Sequence, residues 1–312
     1  MYINRIIGKF FKTEKFPTLL NILILGSEGF VGNNLVDGLS KKHEVFCADM
    51  VDKSSHKNYV KFNVTDSESV MNTVKDVDVV IDLVAHSLVS SIDGPTKNAE
   101  VNIIGLLNIL EACRNNKIKK LIFSSASSLV GEPQNFHVGE NHTALPKTAY
   151  GITKLTSEHY LRLYFELYGL NYVIFRFFNI YGPHQKNGLI PTLYNRIINN
   201  QPLTIFGKGD QVRDYVFIKD IVQFFEKSCI SEIGNNSTFN MGTGNGTTIK
   251  EIIEMLSKIL KIEPEIEFKP LRPGEIGNFV ADTNHLKSTF ENIPNTLVKD
   301  GLEQTINWLN HN

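Results

Sequence analysis

Cysteine is scarce: Cys47, Cys113 and Cys229 are the only three in 312 residues, and they stand far apart. With no CxxC pair and no Cys-His cluster, a disulfide scaffold and a zinc finger are excluded, and the three read as reduced thiols of a cytoplasmic protein. An excess of either charge is also missing. The 32 basic side chains face 33 acidic ones, a net charge of −1, which excludes a strongly basic nucleic-acid binder. No apolar run approaches the roughly 18 residues that a membrane span requires; the longest, such as Asn21 to Leu25 and Val77 to Ala85, are strand-sized. Internal repeats and low-complexity segments are absent. What is present is an ordinary share of apolar side chains, 42% of the chain. That share rules out disorder and is enough for a large core, at a length that suggests about two domains of about 150 residues each.

Met1 to Leu20 is locally basic, with Arg5, Lys9, Lys12 and Lys15 against Glu14. Its apolar Ile3, Ile6, Ile7, Phe10 and Phe11 recur at helical spacing, so residues 1–19 are expected to form an amphipathic arm. A signal peptide is not expected, because basic residues interrupt the apolar ones and no small-residue cleavage site follows. The arm is expected to pack on its own domain or a neighbouring subunit, with weak attachment to a membrane surface as the alternative. From Leu20 onward short apolar runs alternate with helix-length segments, the pattern of a parallel sheet covered on both faces. Strands are expected at 20–25, 44–48, 59–62, 77–84, 120–124 and 172–177, with helices near 31–41, 67–74, 99–116 and 149–167. The chain therefore divides into a nucleotide-binding domain over 20–185 and a mainly substrate-binding domain over 186–312. Segments near 213–230 and 238–245 are expected to return to the first domain.

Gly26, Gly29 and Gly32 follow the first strand and open the first helix. A glycine turn there lets the backbone approach a pyrophosphate at the positive end of a helix. The spacing is GxxGxxG, and alone it also describes a tight turn without a ligand. Asp49, at the end of the second strand, strengthens the ligand reading: its carboxylate suits two ribose hydroxyls and repels a 2′-phosphate. No arginine stands beside it, so the expected cofactor is NAD rather than NADP.

Two Tyr-x-x-x-Lys matches occur. Tyr150 and Lys154 open a helical segment, where residues four apart lie about 6 Å from each other on one face. Tyr215 and Lys219 run through a strand-like stretch, where four residues span roughly 13 Å, so this second match is not expected to act as a pair. A tyrosine is a poor base at its usual pKa of about 10. A neighbouring ammonium lowers that value and lets the phenolate take a proton from a sugar hydroxyl.

Taken together the motifs resemble the extended short-chain dehydrogenase/reductases, in particular the NAD-dependent epimerase/dehydratase family. They are Gly26 to Gly32, Asp49, Asn63 to Asp66, Asp82 to Ala85, Asn102, Ser124 to Gly131, Tyr150 to Lys154, Arg176 to Pro183, Arg213 to Tyr215 and Arg272 to Glu275. The resemblance runs from about Leu20 to the C-terminus. It implies an α/β fold, a Rossmann-type doubly wound parallel sheet with a smaller C-terminal substrate-binding domain. It further implies that Gly26, Gly29, Phe30, Val31, Gly32, Asp49, Asn63, Val64, Leu83, Val84, Ala85, Asn102, Tyr150 and Lys154 hold NAD. A UDP-sugar would lie against Asn179, Leu189, Thr204, Phe206, Arg213, Tyr215, Arg272, Glu275 and Phe279, with the two arginines and Asn179 on its diphosphate.

Departures from the family pattern bear on the chemistry. The position usual for the catalytic hydroxyl is Ala126, flanked by Ser125 and Ser127, so Ser128 is expected to bond the substrate oxygen. Val130 and Asp82 stand where tyrosine and histidine are usual. The acid side chains that dehydratases and decarboxylases need in this segment are replaced by Ser127 and Ser128. What remains is a UDP-hexose 4-epimerase acting through a transient 4-keto sugar, with a 4-keto-sugar reductase and a non-catalytic nucleotide sensor as alternatives. Phe279 favours a hexose with a plain 2-hydroxyl. Gly242, Gly244 and Gly246 read as a turn into a Thr-capped helix. No metal is expected, since no set of ligands surrounds His137 and His142. A homodimer, no nucleic-acid partner and a part in polysaccharide assembly complete the expectations.

Overall fold

The apolar run after Leu20 folds as β1, Asn21–Leu25. It pairs in parallel with β2, Glu44–Asp49, on one side and with β4, Val79–Asp82, on the other, after β3, Tyr59–Lys61, has extended the far edge. The structure, a computed structural model, describes residues 19–270 and 277–311. The expected N-terminal helix therefore lies outside the described residues, as do Arg272 and Glu275. β5, Lys120–Ala126, then the strands Asn171–Phe177 and Ser237–Met241 complete a seven-stranded sheet. Its order is Ser237–Met241, Asn171–Phe177, β5, β4, β1, β2, β3, the reversal at β1 and β4 being the doubly wound arrangement.

Helices cover both faces, so the inner strands must be apolar on both sides, while the edge strand β3 is largely exposed. In β1, Ile22 and Ile24 enter one core while Leu23 and Leu25 enter the other. The same alternation, imposed by the two-residue repeat of a strand, sends Val173 and Phe175 to the first core and Tyr172 and Ile174 to the second. The first core is closed by α1, Phe30–Leu39, and by the helices Ile218–Ile230 and Val298–Leu309. The second is closed by the helices Ser67–Thr73, Gly105–Asn115 and Ala149–Tyr168. Thr148 caps the last of these by accepting the Gly151 N–H at 3.0 Å, and Gly169, at φ +70°, ends it.

Three elements differ from the sequence reading. β4 stops at Asp82 because the carboxylate of that residue accepts the Val84 N–H at 2.9 Å and turns the chain out of the sheet. The helix expected over 99–116 is broken into Pro95–Ala99, a π-helical turn over Glu100–Ile104, and Gly105–Asn115; π-turns of this kind cluster at functional sites. Tyr215–Phe217 does not join the main sheet but pairs with Asn179–Tyr181, whereas Ser237–Met241 does join it. Three further two-stranded ladders, including Leu203–Phe206 with Ile266–Lys269, build the C-terminal part.

One buried ion pair ties helix Ala149–Tyr168 to the strand Asn171–Phe177. Arg176 forks onto Glu158 at 2.9 and 2.7 Å, Ser125 adds a 2.6 Å bond to the same carboxylate, and the guanidinium reaches the Glu140 carbonyl at 2.8 Å. Glu158 is fully buried, so removing its partner strands a charge. Arg176→Ala is expected to cost about 3–5 kcal/mol. Arg162→Ala, which removes the solvent-exposed cation on the same carboxylate, should cost under about 1 kcal/mol. Urea midpoints of the two variants check the contrast, and equal losses would contradict it.

Candidate active site

The C-terminal edge of the sheet carries the polar groups that the two cores exclude. Between β1 and α1, Gly26 adopts φ +85°, and a Cβ there would press on the Leu83 carbonyl carbon at 3.2 Å. A Cβ at Gly32 would stand 2.2 Å from the Gly26 oxygen, so both positions require glycine. Helix α1 starts at Gly29 without a side-chain cap, leaving its first N–H groups directed at the space in front. Asp49 closes the rim, accepting the Glu28 N–H at 3.0 Å and the Met50 N–H at 2.7 Å. Gly26, Gly29, Asp49, Asn63, Val64, Leu83, Val84 and Ala85 line one cavity of about 370 Å³.

The Tyr150 to Lys154 turn lies next to the end of β5. Lys154 is fully buried; its Nζ donates to the Ser124 carbonyl at 2.6 Å and stands 4.5 Å from the Phe123 ring and 5.7 Å from the Tyr150 ring. Burial pushes the Lys154 amine down to about 8, against the pull of Asp82 and Glu158. Burial also pushes the Tyr150 phenol up to about 12, so the protein alone holds it as a neutral phenol. The serine segment divides by role. Ser124 bonds the Asp82 carbonyl at 3.1 Å and Ser125 is committed to Glu158, while Ser127 begins a 3₁₀ turn over Ser127–Leu129. Ser128 is different: its Oγ is buried without a hydrogen-bond partner. Its carbonyl packs so tightly on Gly151 that a Cβ there would meet it at 2.7 Å, which sets Ser128 beside Tyr150.

A second cavity, of about 390 Å³, gathers Asn179, Leu189, Arg213 and Tyr215 with Phe178, Gln185 and Gln211. Asn179 is held by the Asp214 carbonyl at 2.9 Å through its N–H, and Arg213 donates to the Gly277 carbonyl at 3.1 Å.

Comparisons with known proteins point to the same chemistry. The sequence profile of the NAD dependent epimerase/dehydratase family matches residues 22–242. The chain is 30% identical over 305 residues to a putative UDP-glucose 4-epimerase of Methanocaldococcus jannaschii, covering 93% of this chain and 99% of that one. It is also 30% identical to the UDP-glucose 4-epimerase of Thermotoga maritima solved with UDP-glucose, with a TM-score of 0.87 over 94% of this chain and 99% of the other. The UDP-glucose 4-epimerase of Thermus thermophilus, in complex with NAD, is 28% identical over 93% and 99% of the two chains, with a TM-score of 0.85. The chain belongs to the NAD dependent epimerase/dehydratase family.

The cofactor of the family is NAD, and the site fits it. The glycine cradle has no room for side chains, and Ser27 leaves a buried Oγ without a partner inside the turn. Phe30 and Val31 pack their side chains on the first core and do not line the cavity, so they have only backbone to offer a cofactor there. Asn102 is not among the residues lining the cofactor cavity. Buried in the π-turn, it spends its amide on the His86 N–H at 2.7 Å, the His86 carbonyl at 3.2 Å and Thr153 Oγ1 at 3.0 Å, and so fixes the wall rather than lining it. Thr204 and Phe206 share the half-buried face of their strand, opposite Leu203 and Ile205. Neither lines the second cavity; Phe206 reaches it only through its carbonyl, which holds the lining residue Gln211 at 2.7 Å. Phe279 is buried, 5.6 Å from Phe178 and 5.9 Å from the Arg213 guanidinium.

The second Tyr-x-x-x-Lys match is split, as its strand-like sequence implied. Tyr215 is buried in a strand, and Lys219, on the following helix, bonds Gln304 at 2.8 Å. In the Gly242 to Gly246 loop Asp214 takes the N–H groups of Thr243 and Gly244 at 2.9 Å each, and Thr248 caps the next helix in a full capping box. Among the described residues no cluster of metal-ligating side chains is present. Sequence reasoning missed Met50, Phe62, His86, Lys97 and Val101 on the cofactor cavity and Asp214 as the hub of the substrate side. Asp214, adjacent to Arg213, was the one with a visible signal.

Asp49→Ala should weaken NAD binding about tenfold or more, the worth of charge-assisted bonds to the ribose, and should cost about 1–2 kcal/mol of stability through the lost Glu28 and Met50 N–H bonds. Titration calorimetry with NAD measures it; an unaltered Kd would remove Asp49 from the site.

Proposed function

We propose that the chain is a UDP-hexose 4-epimerase with tightly held NAD, acting through a transient 4-keto sugar. The observation that carries the reading is the meeting of Tyr150, the Lys154 ammonium and the unpartnered Ser128 hydroxyl at the end of β5. Tyr150 is the base for the 4-hydroxyl, Ser128 bonds the 4-oxygen and relays its proton, and Lys154 supplies the positive charge that brings the phenol into range. NAD, held at the glycine turn and Asp49, would supply the reversible hydride chemistry at C4. Asn179 and Arg213 hold the diphosphate, so the hexose is tethered at one end and free to turn over at the other. The cleft keeps the sugar oxygen among fixed dipoles instead of water.

The relatives' names, with UDP-glucose in the Thermotoga maritima structure and NAD in the Thermus thermophilus one, support this assignment. Phe279 is buried behind Phe178, off the cavity lining, so the plain 2-hydroxyl rests on the family resemblance alone. The partner reading is a second copy of this chain, supported by the exposed apolar side chains of Ile104, at the end of the π-turn, and of Ile152 and Leu167 on helix Ala149–Tyr168. No described helix is long and apolar enough to cross a membrane, which is compatible with a cytoplasmic enzyme of polysaccharide assembly. The domain division at about residue 185 is part of the same reading.

The decisive assay is interconversion of UDP-glucose and UDP-galactose without added cofactor. Stoichiometric consumption of NADH would identify a 4-keto-sugar reductase, and NAD binding with no turnover of any UDP-hexose would identify a sensor. Tyr150→Phe is expected to lower kcat at least 10²-fold, the usual worth of a positioned acid–base group, with NAD affinity intact. Ser128→Ala should lower kcat by about 10², with KM little changed, because the bond it removes matters most where charge develops on the oxygen. Full activity in the Ser128 variant would hand the role to Ser127.

A further inference from the structure

Asp82 stands where the family resemblance leads one to expect histidine, and it is buried at the very end of β4. Its Oδ1 accepts the Val84 N–H at 2.9 Å, and the carboxylate enters no ion pair among the described residues. Ser124 links it to Lys154: the Ser124 hydroxyl donates to the Asp82 carbonyl at 3.1 Å, and the Ser124 carbonyl accepts from Lys154 Nζ at 2.6 Å. Asp82 is also the register partner of Phe123, whose ring lies against the same ammonium.

Few groups face Lys154. From its own helix come Tyr150 and Glu158, and Glu158 is already shared by Arg176, Arg162 and Ser125. From β4 comes Asp82. Asp82 itself meets the Cys113 thiol of the helix Gly105–Asn115, which burial, with Asp82 adding to it, pushes up and keeps neutral. Asp82 is thus the carboxylate left to balance the buried ammonium.

We infer that Asp82 is a positioning residue of the reaction, its buried carboxylate keeping Lys154 charged and set beside Tyr150. Burial raises Asp82 itself to about 6, against the attraction of Lys154. The balancing charge is therefore present at neutral pH and lost as the solution is acidified. The inference rests on the epimerase reading only for its kinetic arm.

The test follows the Lys154 ε-carbon by NMR in NAD-loaded enzyme labelled with [ε-¹³C]lysine, the signal assigned with Lys154→Arg. In Asp82→Asn, which keeps the acceptor for the Val84 N–H, the Lys154 midpoint should fall by at least about one pH unit. The alkaline limb of kcat should move down with it at constant KM for UDP-hexose. The two enzymes should converge below pH 6, where Asp82 becomes protonated in the wild type. An unmoved Lys154 midpoint overturns the inference, as does an equal loss of kcat at every pH. Should Asp82→Asn fail to fold, the wild type decides: its Lys154 resonance must carry a second, acid-side inflection, and a single titration overturns the inference. A shifted midpoint in an enzyme that turns over no UDP-hexose would uphold Asp82 and sink the epimerase reading instead.

Discussion

The site depends on one buried ammonium. Taking a lysine out of water costs several kcal/mol unless its charge is met, and Lys154 is met by a carbonyl, an aromatic face and nearby carboxylates rather than by a direct ion pair. That arrangement leaves part of its field unspent and available to Tyr150. A closer carboxylate would neutralise the charge and remove its use. The buried lysine also explains why β5 ends in serines: their hydroxyls and carbonyls satisfy Lys154, Glu158 and the end of β4 in the space of a few residues.

The sheet makes this possible. Its inner strands are apolar on both faces because two helical layers cover them, and the polar groups are therefore left to the C-terminal ends of the strands. Lys120, buried at the opposite end of β5 on the Ser228 and Ser231 carbonyls, is one exception, and Glu158 with Arg176, a charged pair inside the fold, is another. Their bidentate bonds, together with Ser125, fix helix Ala149–Tyr168 against its neighbouring strand. The first two turns of that helix carry Tyr150 and Lys154, so the ion pair sets the level at which the reacting groups sit.

Much of this was legible beforehand. The alternation of apolar runs and helical segments located the first six strands of the sheet to within two or three residues, because burial on both faces leaves a continuous apolar signature. The choice between Tyr150 and Tyr215 was also legible, since helical and extended spacing place a lysine four residues on at very different distances. Illegible were the π-turn at Glu100–Ile104, which has no composition of its own, and the residues that reach the cofactor cavity from the crossover, such as His86 and Lys97. The partner of Tyr215–Phe217 was equally hidden, because strand pairing is a long-range property that local pattern does not encode.

The sequence by itself determined the class of the protein: a doubly covered parallel sheet, a glycine turn with a carboxylate at the end of the next strand, and a tyrosine and lysine one helical turn apart. Those features are local, written in spacings of two to about twenty residues. The tertiary structure alone decided which serine hydroxyl is free, which carboxylate faces Lys154 and why Asn102 supports the cofactor wall without lining it. Each of these depends on what lies across the sheet edge, where hydrogen-bond partners far apart in the chain compete for the same group and the geometry settles the outcome.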